Sequence, residues 1–309
     1  MNEKRILIAA PRSFCAGVVR AIDIVEKLLE THGPPVYVRH EIVHNVHVVR
    51  DLEQRGAVFV ETEQEVPEGA LVVLSAHGVA PQVYRKCAER NLKVIDATCP
   101  LVSKVHAEAR RYAARGLKIA LVGHARHEEV VGTMGEAPDS IVLVETPEDV
   151  ERLPVEDSQQ VAYLTQTTLS VDDTAEVVDA LRARFPDLVG PPSADICYAT
   201  QNRQDAVKKI CEHATLVLVV GSKTSSNANR LVEVARSCGA DAYLVDDESD
   251  LDPAWLDGHD VVGLTAGASS PDLLVSRVAD GLAQYGFHDR EEVELTREDV
   301  YFRLPAELR

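Results

Sequence analysis

Positive charge is scarce in this chain: of 309 residues, 32 are Lys or Arg against 50 Asp or Glu, a formal charge of −18. A protein whose main partner is nucleic acid or an anionic membrane surface needs the opposite balance, so both partners are excluded first. Long apolar runs are lacking too. Hydrophobic residues make up 45% of the chain, enough for a buried core. Yet no stretch approaches the roughly 18 uninterrupted apolar residues of a spanning helix, and a soluble globular protein is expected. The amino-terminal MNEKRILIAAPRSFC enters a short strand-like run, Ile6 to Ala10. That run falls well short of a signal-peptide apolar region, so a cytoplasmic location is expected.

Cysteine is sparse, with six residues, and nowhere spaced as CxxC. An intracellular chain of this length does not use them as a disulfide framework, so each is a core thiol, a nucleophile or a metal ligand. Other fingerprints are missing as well. No GxGxxG follows a strand, which leaves a bound dinucleotide without support. The GSKTSS stretch from Gly221 resembles the end of a P-loop, but Ser222 stands where a glycine must precede the lysine, and GHARHEE from Gly123 does not match HExxH.

What is present is alternation. Short β-rich apolar runs at Val36–Val38, Leu71–Leu74, Val94–Ile95, Ile119–Val122, Ile141–Val144, Val161–Leu164, Leu216–Val220, Ala242–Val245 and Val261–Leu264 alternate with amphipathic helical stretches. This is the pattern of α/β layers on parallel sheets. The alternation repeats itself. One block runs from Pro35 to Cys99 and a second from Lys118 to Cys197; a third starts at Thr215 and lacks the closing strand and cysteine, which Arg5 to Cys15 supply from the other end. The expected architecture is α/β, with three pseudo-threefold-related units carrying small, mostly parallel sheets around a central site. The units span 16–99, 100–193 and 194–286, the last completed by strand 1–15, and a tail, 287–309, lies outside the repeat and packs across a neighbouring unit.

Each repeat ends in one cysteine, Cys15, Cys99 or Cys197, just before an amphipathic helix. Free N–H groups and the positive dipole end at a helix start favour the thiolate that metals bind. Cys87, Cys211 and Cys238 fall at core spacing inside helices and read as small buried hydrophobes. Three thiolates without a fourth leave an open coordination position, which suits a catalytic centre. Zinc with a water and a cubane iron–sulfur cluster with one free iron both fit. Around them, the carboxyl ends of the strands carry RHEIVHN, SAHGV, GHARHEEVVGT, TQTTLS, GSKTSSNANR and TAGASSP. Ser225, Ser226, Asn227 and Ser269 precede helices and serve as caps, but hydroxyls, amides and histidines beside helix N–H groups also make an anion site, most naturally for phosphate.

The stretches FCAGVVRAI, YVRHEIVHN, SAHGV, DATCPLVSKVH, TQTTLSVDDT, DICYATQNRQ, GSKTSSNANRL and TAGASSPD resemble the LytB/IspH family of iron–sulfur 4-hydroxy-3-methylbut-2-enyl diphosphate reductases, from about Ile6 to the carboxyl end. The resemblance implies the last step of the methylerythritol phosphate route, in which the substrate hydroxyl is removed reductively to give isopentenyl and dimethylallyl diphosphates. It implies Cys15, Cys99 and Cys197 as ligands of a [4Fe–4S] cluster with one open iron. His44, His77, Ser225, Ser226, Asn227 and Ser269 would bind the diphosphate, with His127, Thr167 and Thr168 also on the substrate. Glu129, Thr167 and His127 form the implied catalytic set, Glu129 delivering protons. The family often has HPEVEGT where this chain has HEEVVGT from His127, so Glu128 replaces proline and Val131 replaces glutamate; alignment on Gly132 and Thr133 assigns the acid to Glu129. A ferredoxin or flavodoxin is the implied electron donor. Two other readings fit the residues: a zinc hydrolase of a phosphorylated small molecule, with the three cysteines as ligands and Glu129 as base, and a phosphate-ligand binder without catalysis.

Overall fold

The computed structural model describes residues 4–156 and 159–309. In chain order the elements are β1 (Arg5–Ala10), α1 (Ala16–His32), β2 (Val36–Arg39), α2 (Val46–Gln54), β3 (Ala57–Val60), β4 (Leu71–Leu74), α3 (Pro81–Glu89), β5 (Lys93–Asp96), α4 (Pro100–Ala114), β6 (Lys118–Val122) and α5 (Glu128–Met134). They continue with β7 (Ile141–Val144), α6 (Pro147–Glu151), β8 (Val161–Thr165), α7 (Val171–Arg184), α8 (Tyr198–Cys211), β9 (Leu216–Val220), α9 (Ser226–Ser237), β10 (Asp241–Val245), β11 (Val261–Ala266), α10 (Asp272–Ala283) and β12 (Asp289–Glu294). By contacts the chain forms two compact units. The first comprises Met1–Val18, His44–Arg50 and Tyr198–Tyr301; the second comprises Val19–Val43, Asp51–Cys197 and Phe302–Arg309.

The first unit holds a five-stranded sheet in the order β10-β9-β11-β1-β12. All its pairings are parallel, β1 lying between β11 and β12 with Ile6 opposite Val262 and Arg5 opposite Asp289. The amino-terminal strand thus completes the sheet of the third repeat. Both faces are covered, which explains why β9 reads as an unbroken apolar run. Leu216, Leu218 and Val220 join Ile6, Val262 and Leu264 against α10 residues Leu274, Val278 and Leu282. Val217 and Val219 alternate onto the other face, with Leu7 and Ala9, against Val207 and Ile210 of α8 and Leu231 and Ala235 of α9.

The tail does not stay outside the sheet. β12 has the sequence DREEVE and is exposed along most of its length, so no apolar period marks it as a strand. It survives as a charged edge, the usual protection of an unpaired strand side, with Glu291 beside Arg5 at 3.5 Å and Glu292 beside Arg12 at 2.8 Å. Only Phe302–Arg309 belongs to the second unit.

The second unit holds a four-stranded sheet, β3-β2-β4-β5, and a three-stranded sheet, β7-β6-β8, again parallel throughout. Val72, Leu74 and Val60 pack on Val83 and Cys87 of α3 in the first of these. In the second, Ile119, Leu121, Ala162 and Leu164 pack on Val105, Ala109 and Tyr112 of α4 and Val130 of α5. Ala120, Val122 and Val161 face α7 through Val177 and Leu181. Among the described residues no helix is long and apolar enough to cross a membrane.

One of the cysteines expected in the core is placed otherwise. Cys87 is buried and Cys211, partly covered, packs against the core of the first unit, but Cys238 is exposed. The reason is local: α9 ends at Ser237 and Cys238 is its C-cap, so the helical spacing that pointed it inward stops one residue too early.

Candidate active site

The three repeat-ending cysteines are held in the same way. Each directly precedes a helix, α1, α4 or α8. Each donates its backbone N–H to a carbonyl beyond a strand end: Cys15 to Ala268 at 3.2 Å, Cys99 to Ala76 at 3.0 Å and Cys197 to Thr167 at 3.0 Å. Those acceptors lie two residues past the ends of β11, β4 and β8 respectively. One register therefore recurs three times, and the repeat seen in the sequence has a hydrogen-bond counterpart. At Cys99 the start is reinforced by Pro100 in the first helical turn, where its missing N–H costs nothing.

The polar residues of the second unit collect at the ends of β4, β6 and β8. Glu129, in the first turn of α5, is buried, and its carboxylate accepts from the Thr167 N–H at 2.7 Å and from the Thr167 hydroxyl at 3.0 Å. Burial pushes its carboxyl up to about 7, against the opposing pull of the two Thr167 donors, and the charge of Asp195 adds to the rise. His127 is the N-cap of α5 and accepts from the Glu129 N–H through Nδ1 at 3.3 Å. Its ring stands edge-on to that of His77, with centroids 6.2 Å apart. Gln166 supports the neighbouring threonine, donating through Nε2 to the Thr168 hydroxyl at 2.8 Å while its Oε1 accepts from the His124 N–H at 3.1 Å.

Glu128 sits between two imidazoles, 2.6 Å from Nδ1 of His40 and 3.3 Å from Nδ1 of His77. Burial alone would raise its carboxyl, but the hydrogen bonds and charges of the two histidines hold it well below the usual carboxylate range. His40 is raised in return, mainly by its hydrogen bond to Glu128. His40 also has a left-handed backbone, φ 58°, a conformation that a non-glycine residue keeps only where its surroundings fix it.

In the first unit, Ser225 caps α9, accepting from the Ala228 N–H at 3.3 Å. The Ser269 hydroxyl lies 3.4 Å from that of Ser225 and donates to the His44 carbonyl at 2.9 Å. Asn227 is buried with both ends of its amide engaged, Oδ1 accepting from the Ala268 N–H at 3.0 Å and Nδ2 facing the Thr200 hydroxyl at 3.3 Å. Ser226 is the first residue of α9 and partly exposed. His44, Ser225, Asn227 and Ser269 are thus one hydrogen-bonded group beside a helix N-terminus, an arrangement suited to an anion.

The family described as LytB protein matches residues 6–283. This chain belongs to the LytB family. Over its whole length the LytB chain is 62% identical to the 4-hydroxy-3-methylbut-2-enyl diphosphate reductase of Acidothermus cellulolyticus, of which it covers 91%. Over 99% of its length it is 58% identical to the protein of the same name in Streptomyces avermitilis, again covering 91% of that relative. The structure of the E-1-hydroxy-2-methyl-but-2-enyl-4-diphosphate reductase of Plasmodium falciparum matches it with a TM-score of 0.97 at 40% identity, over 99% of this chain and 97% of that one.

Of the residues that the sequence singled out in this LytB chain, Glu129, Thr167 and His127 come together, as do His44, Ser225, Asn227 and Ser269. Three equivalent thiols, each at a helix start, are a donor set that suits a group taking three protein thiolates. Among the described residues, no three His, Cys, Asp or Glu side chains gather where one metal ion would sit. Sequence reasoning passed over Gln166, Asp195 and the pairing of Glu128 with His40. Gln166 and Asp195 lie inside the quoted motifs, but nothing in a linear string shows which backbone groups they satisfy.

Proposed function

We propose that this LytB chain is a 4-hydroxy-3-methylbut-2-enyl diphosphate reductase, removing the substrate's hydroxyl with two electrons and two protons to leave water and isopentenyl or dimethylallyl diphosphate, the last step of the methylerythritol phosphate route. The observation that carries the reading is the junction at Thr167: its N–H and hydroxyl hold the Glu129 carboxyl, and its carbonyl holds the Cys197 backbone. A proton donor and one thiol are fixed by a single residue. The relatives named above are reductases over nearly their full length, and the zinc-hydrolase alternative is left without support.

Bound through Cys15, Cys99 and Cys197, a [4Fe–4S] cluster with one open iron would supply the electrons and a Lewis acid for the departing oxygen. The remaining work belongs to side chains. Hydroxide is a poor leaving group, so a proton must reach the oxygen as its bond to carbon breaks. Glu129, protonated near neutrality through burial, is placed to deliver it, and Thr167 can pass a proton through the hydroxyl bonded to Oε2. His127 and Thr168 line the same strand ends and orient the substrate. His44, His77, Ser225, Ser226, Asn227 and Ser269 receive the diphosphate, Asn227 also holding the Ala268 backbone through Oδ1. Electrons arrive from a ferredoxin or flavodoxin.

The test is iron, zinc and sulfide analysis of anaerobically purified protein, followed by assay of the allylic diphosphate with dithionite and a mediating dye. Iron and sulfide with turnover are expected. Colourless, zinc-loaded protein that hydrolyses the substrate, or tight diphosphate binding without turnover, would overturn the reading.

A further inference from the structure

Three cations recur at one place in the repeat. Arg20 lies five residues beyond Cys15, Lys104 five beyond Cys99 and Arg203 six beyond Cys197, each on the helix that its cysteine begins. Among the described residues, none of them binds the loop of its own cysteine. Arg20 donates to the carbonyls of Ala97 at 3.1 Å, Thr98 at 3.0 Å and Asp96 at 3.4 Å, the three residues before Cys99. Lys104 donates to the carbonyls of Ser193 at 2.8 Å and Ala194 at 3.1 Å and to the Asp195 carboxylate at 3.0 Å, just before Cys197. Arg203 donates to the Ser13 carbonyl at 2.7 and 3.2 Å and to that of Arg12 at 3.4 Å, just before Cys15. The assignment closes on itself: helix after Cys15 to loop before Cys99, helix after Cys99 to loop before Cys197, helix after Cys197 to loop before Cys15.

Cost argues against coincidence. The Arg203 side chain has 0% exposure, and burying a guanidinium is unfavourable unless every donor finds a partner. Its remaining partners are the Ala199 carbonyl and Glu298, both at 2.9 Å. Lys104 has three N–H donors, matched by the three oxygens named above. The carbonyls of Ala97, Thr98 and Ser13 are met in buried bonds, where a carbonyl left unpaired is costly. Ser13 needs holding for another reason, since its φ of 59° is left-handed. Arg20 is also close enough to Cys99 for their charges to interact.

We propose that Arg20, Lys104 and Arg203 are positioning residues, a cyclic set of cationic clamps in which the helix begun by one cluster cysteine fixes the backbone that presents the next. The inference rests on the reading of Cys15, Cys99 and Cys197 as ligands. Its specific content is that each clamp acts on the following cysteine and not on its own.

Lys104 gives the cleanest test because its side chain is 27% exposed. In anaerobic holoenzyme, Lys104→Met should speed amide hydrogen exchange across 193–197 by at least about tenfold and leave 98–104 as in the wild type. Iron release to a ferrous chelator should quicken by a similar factor, the electron paramagnetic resonance spectrum of the reduced protein should change, and KM should stay near the wild-type value; Lys104→Arg should restore exchange, iron release and spectrum. Arg20→Lys carries the same test at 96–99, since one ammonium cannot span the four carbonyls that the guanidinium takes, Arg303 included. Exchange and spectrum unchanged in both variants, or loosening at each cation's own cysteine as large as at the next, would overturn the clamps. Wild-type protein devoid of iron and sulfide would instead overturn the ligand reading, while the exchange measurement on the cluster-free chain still decides which loop each cation holds.

Discussion

Thr167 gives the Glu129 carboxylate both of its donors, the backbone N–H at 2.7 Å and the hydroxyl at 3.0 Å. The N–H can only donate, but the hydroxyl can turn and accept once Glu129 is protonated. The pair therefore accommodates both states of the acid without rearranging the backbone. Glutamine reproduces the protonated geometry, its amide oxygen on the N–H and its NH2 on the turned hydroxyl. Glu129→Gln should bind substrate near wild-type affinity and lose about 10²- to 10⁴-fold in turnover, the usual contribution of a positioned acid. Steady-state kinetics with a chemical reductant checks this; near-normal turnover, with the loss appearing in Glu128→Gln instead, would move the proton donor by one residue.

The same substitution should raise stability at alkaline pH. Burial lifts the Glu129 carboxyl from its ordinary value of 4.5 to about 7, so between those values the folded chain holds a proton that the unfolded chain has lost. Stability falls as pH rises through that window, because the folded state must then ionise a buried acid. Glu129→Gln has no such charge to bury. Its thermal midpoint should exceed that of the wild type at pH 8 and match it near pH 4.5, as read by calorimetry.

Glu128 pairs with two histidines, His40 and His77. Its hydrogen bond to His40 raises that imidazole, and its other oxygen lies 3.3 Å from Nδ1 of His77, a ring that the resemblance puts on the diphosphate. The support of a raised histidine is present at low pH and is lost as pH rises through its folded value. Glu128→Gln should weaken inorganic diphosphate binding roughly tenfold at pH 7, about 1.4 kcal/mol. At pH 5.5 the difference should shrink, since imidazoles with an ordinary value near 6.5 protonate there unaided. Calorimetric titration at the two pH values distinguishes this from a loss that is the same at both.

The parallel strands and the three cysteines were legible in the sequence because they rest on local signals: β-branched runs such as LVLVV of β9, and a thiol placed where a strand gives way to an amphipathic helix. What could not be read depends on partners far along the chain. DREEVE carries no apolar face, and only its pairing with β1 makes it β12. Arg20, Lys104 and Arg203 stand in plain view at near-constant spacing after each cysteine, but a cation on a helix reads as solvated until the carbonyls it serves are known. Asn227 is assigned to the substrate by resemblance, and nothing in the string shows that its amide also bonds Ala268 and Thr200.

The thiols should separate into two chemical groups. Cys99→Ser should lose most of its iron and all activity, whereas Cys238→Ser should keep both, because Cys238 is an exposed C-cap. Burial, with Cys238 beside it, pushes the Cys211 thiol up to about 12, so at pH 8.5 it is almost wholly protonated and a poor nucleophile. Iodoacetamide on folded holoenzyme should therefore label Cys238 before Cys211, a preference that peptide mass spectrometry reads directly. Equal loss of iron in the two serine variants would undo the sorting.

Ala228 is pressed between two strand ends. A Cβ on Gly221, just past β9, would stand 2.5 Å from the Ala228 Cβ, and one on Gly267, just past β11, would stand 2.9 Å from it. Both glycines are required by this close approach of backbone to helix, not by backbone conformation. The first turn of α9 must retreat to admit a methyl at Gly221, and with it go the Ser225 cap on Ala228 and the Asn227 bond to Ala268. Gly221→Ala should cost about 1–3 kcal/mol of stability, the usual range for overpacking, and weaken inorganic diphosphate binding while leaving the iron content of the protein unchanged. Because the conflict is between two methyl groups, Ala228→Gly in the same chain should recover most of the lost affinity, even though glycine in a helix carries a cost of its own of up to about 1 kcal/mol. Failure of the double variant to recover, measured by titration against both single variants, would place the role of Gly221 elsewhere than in this contact.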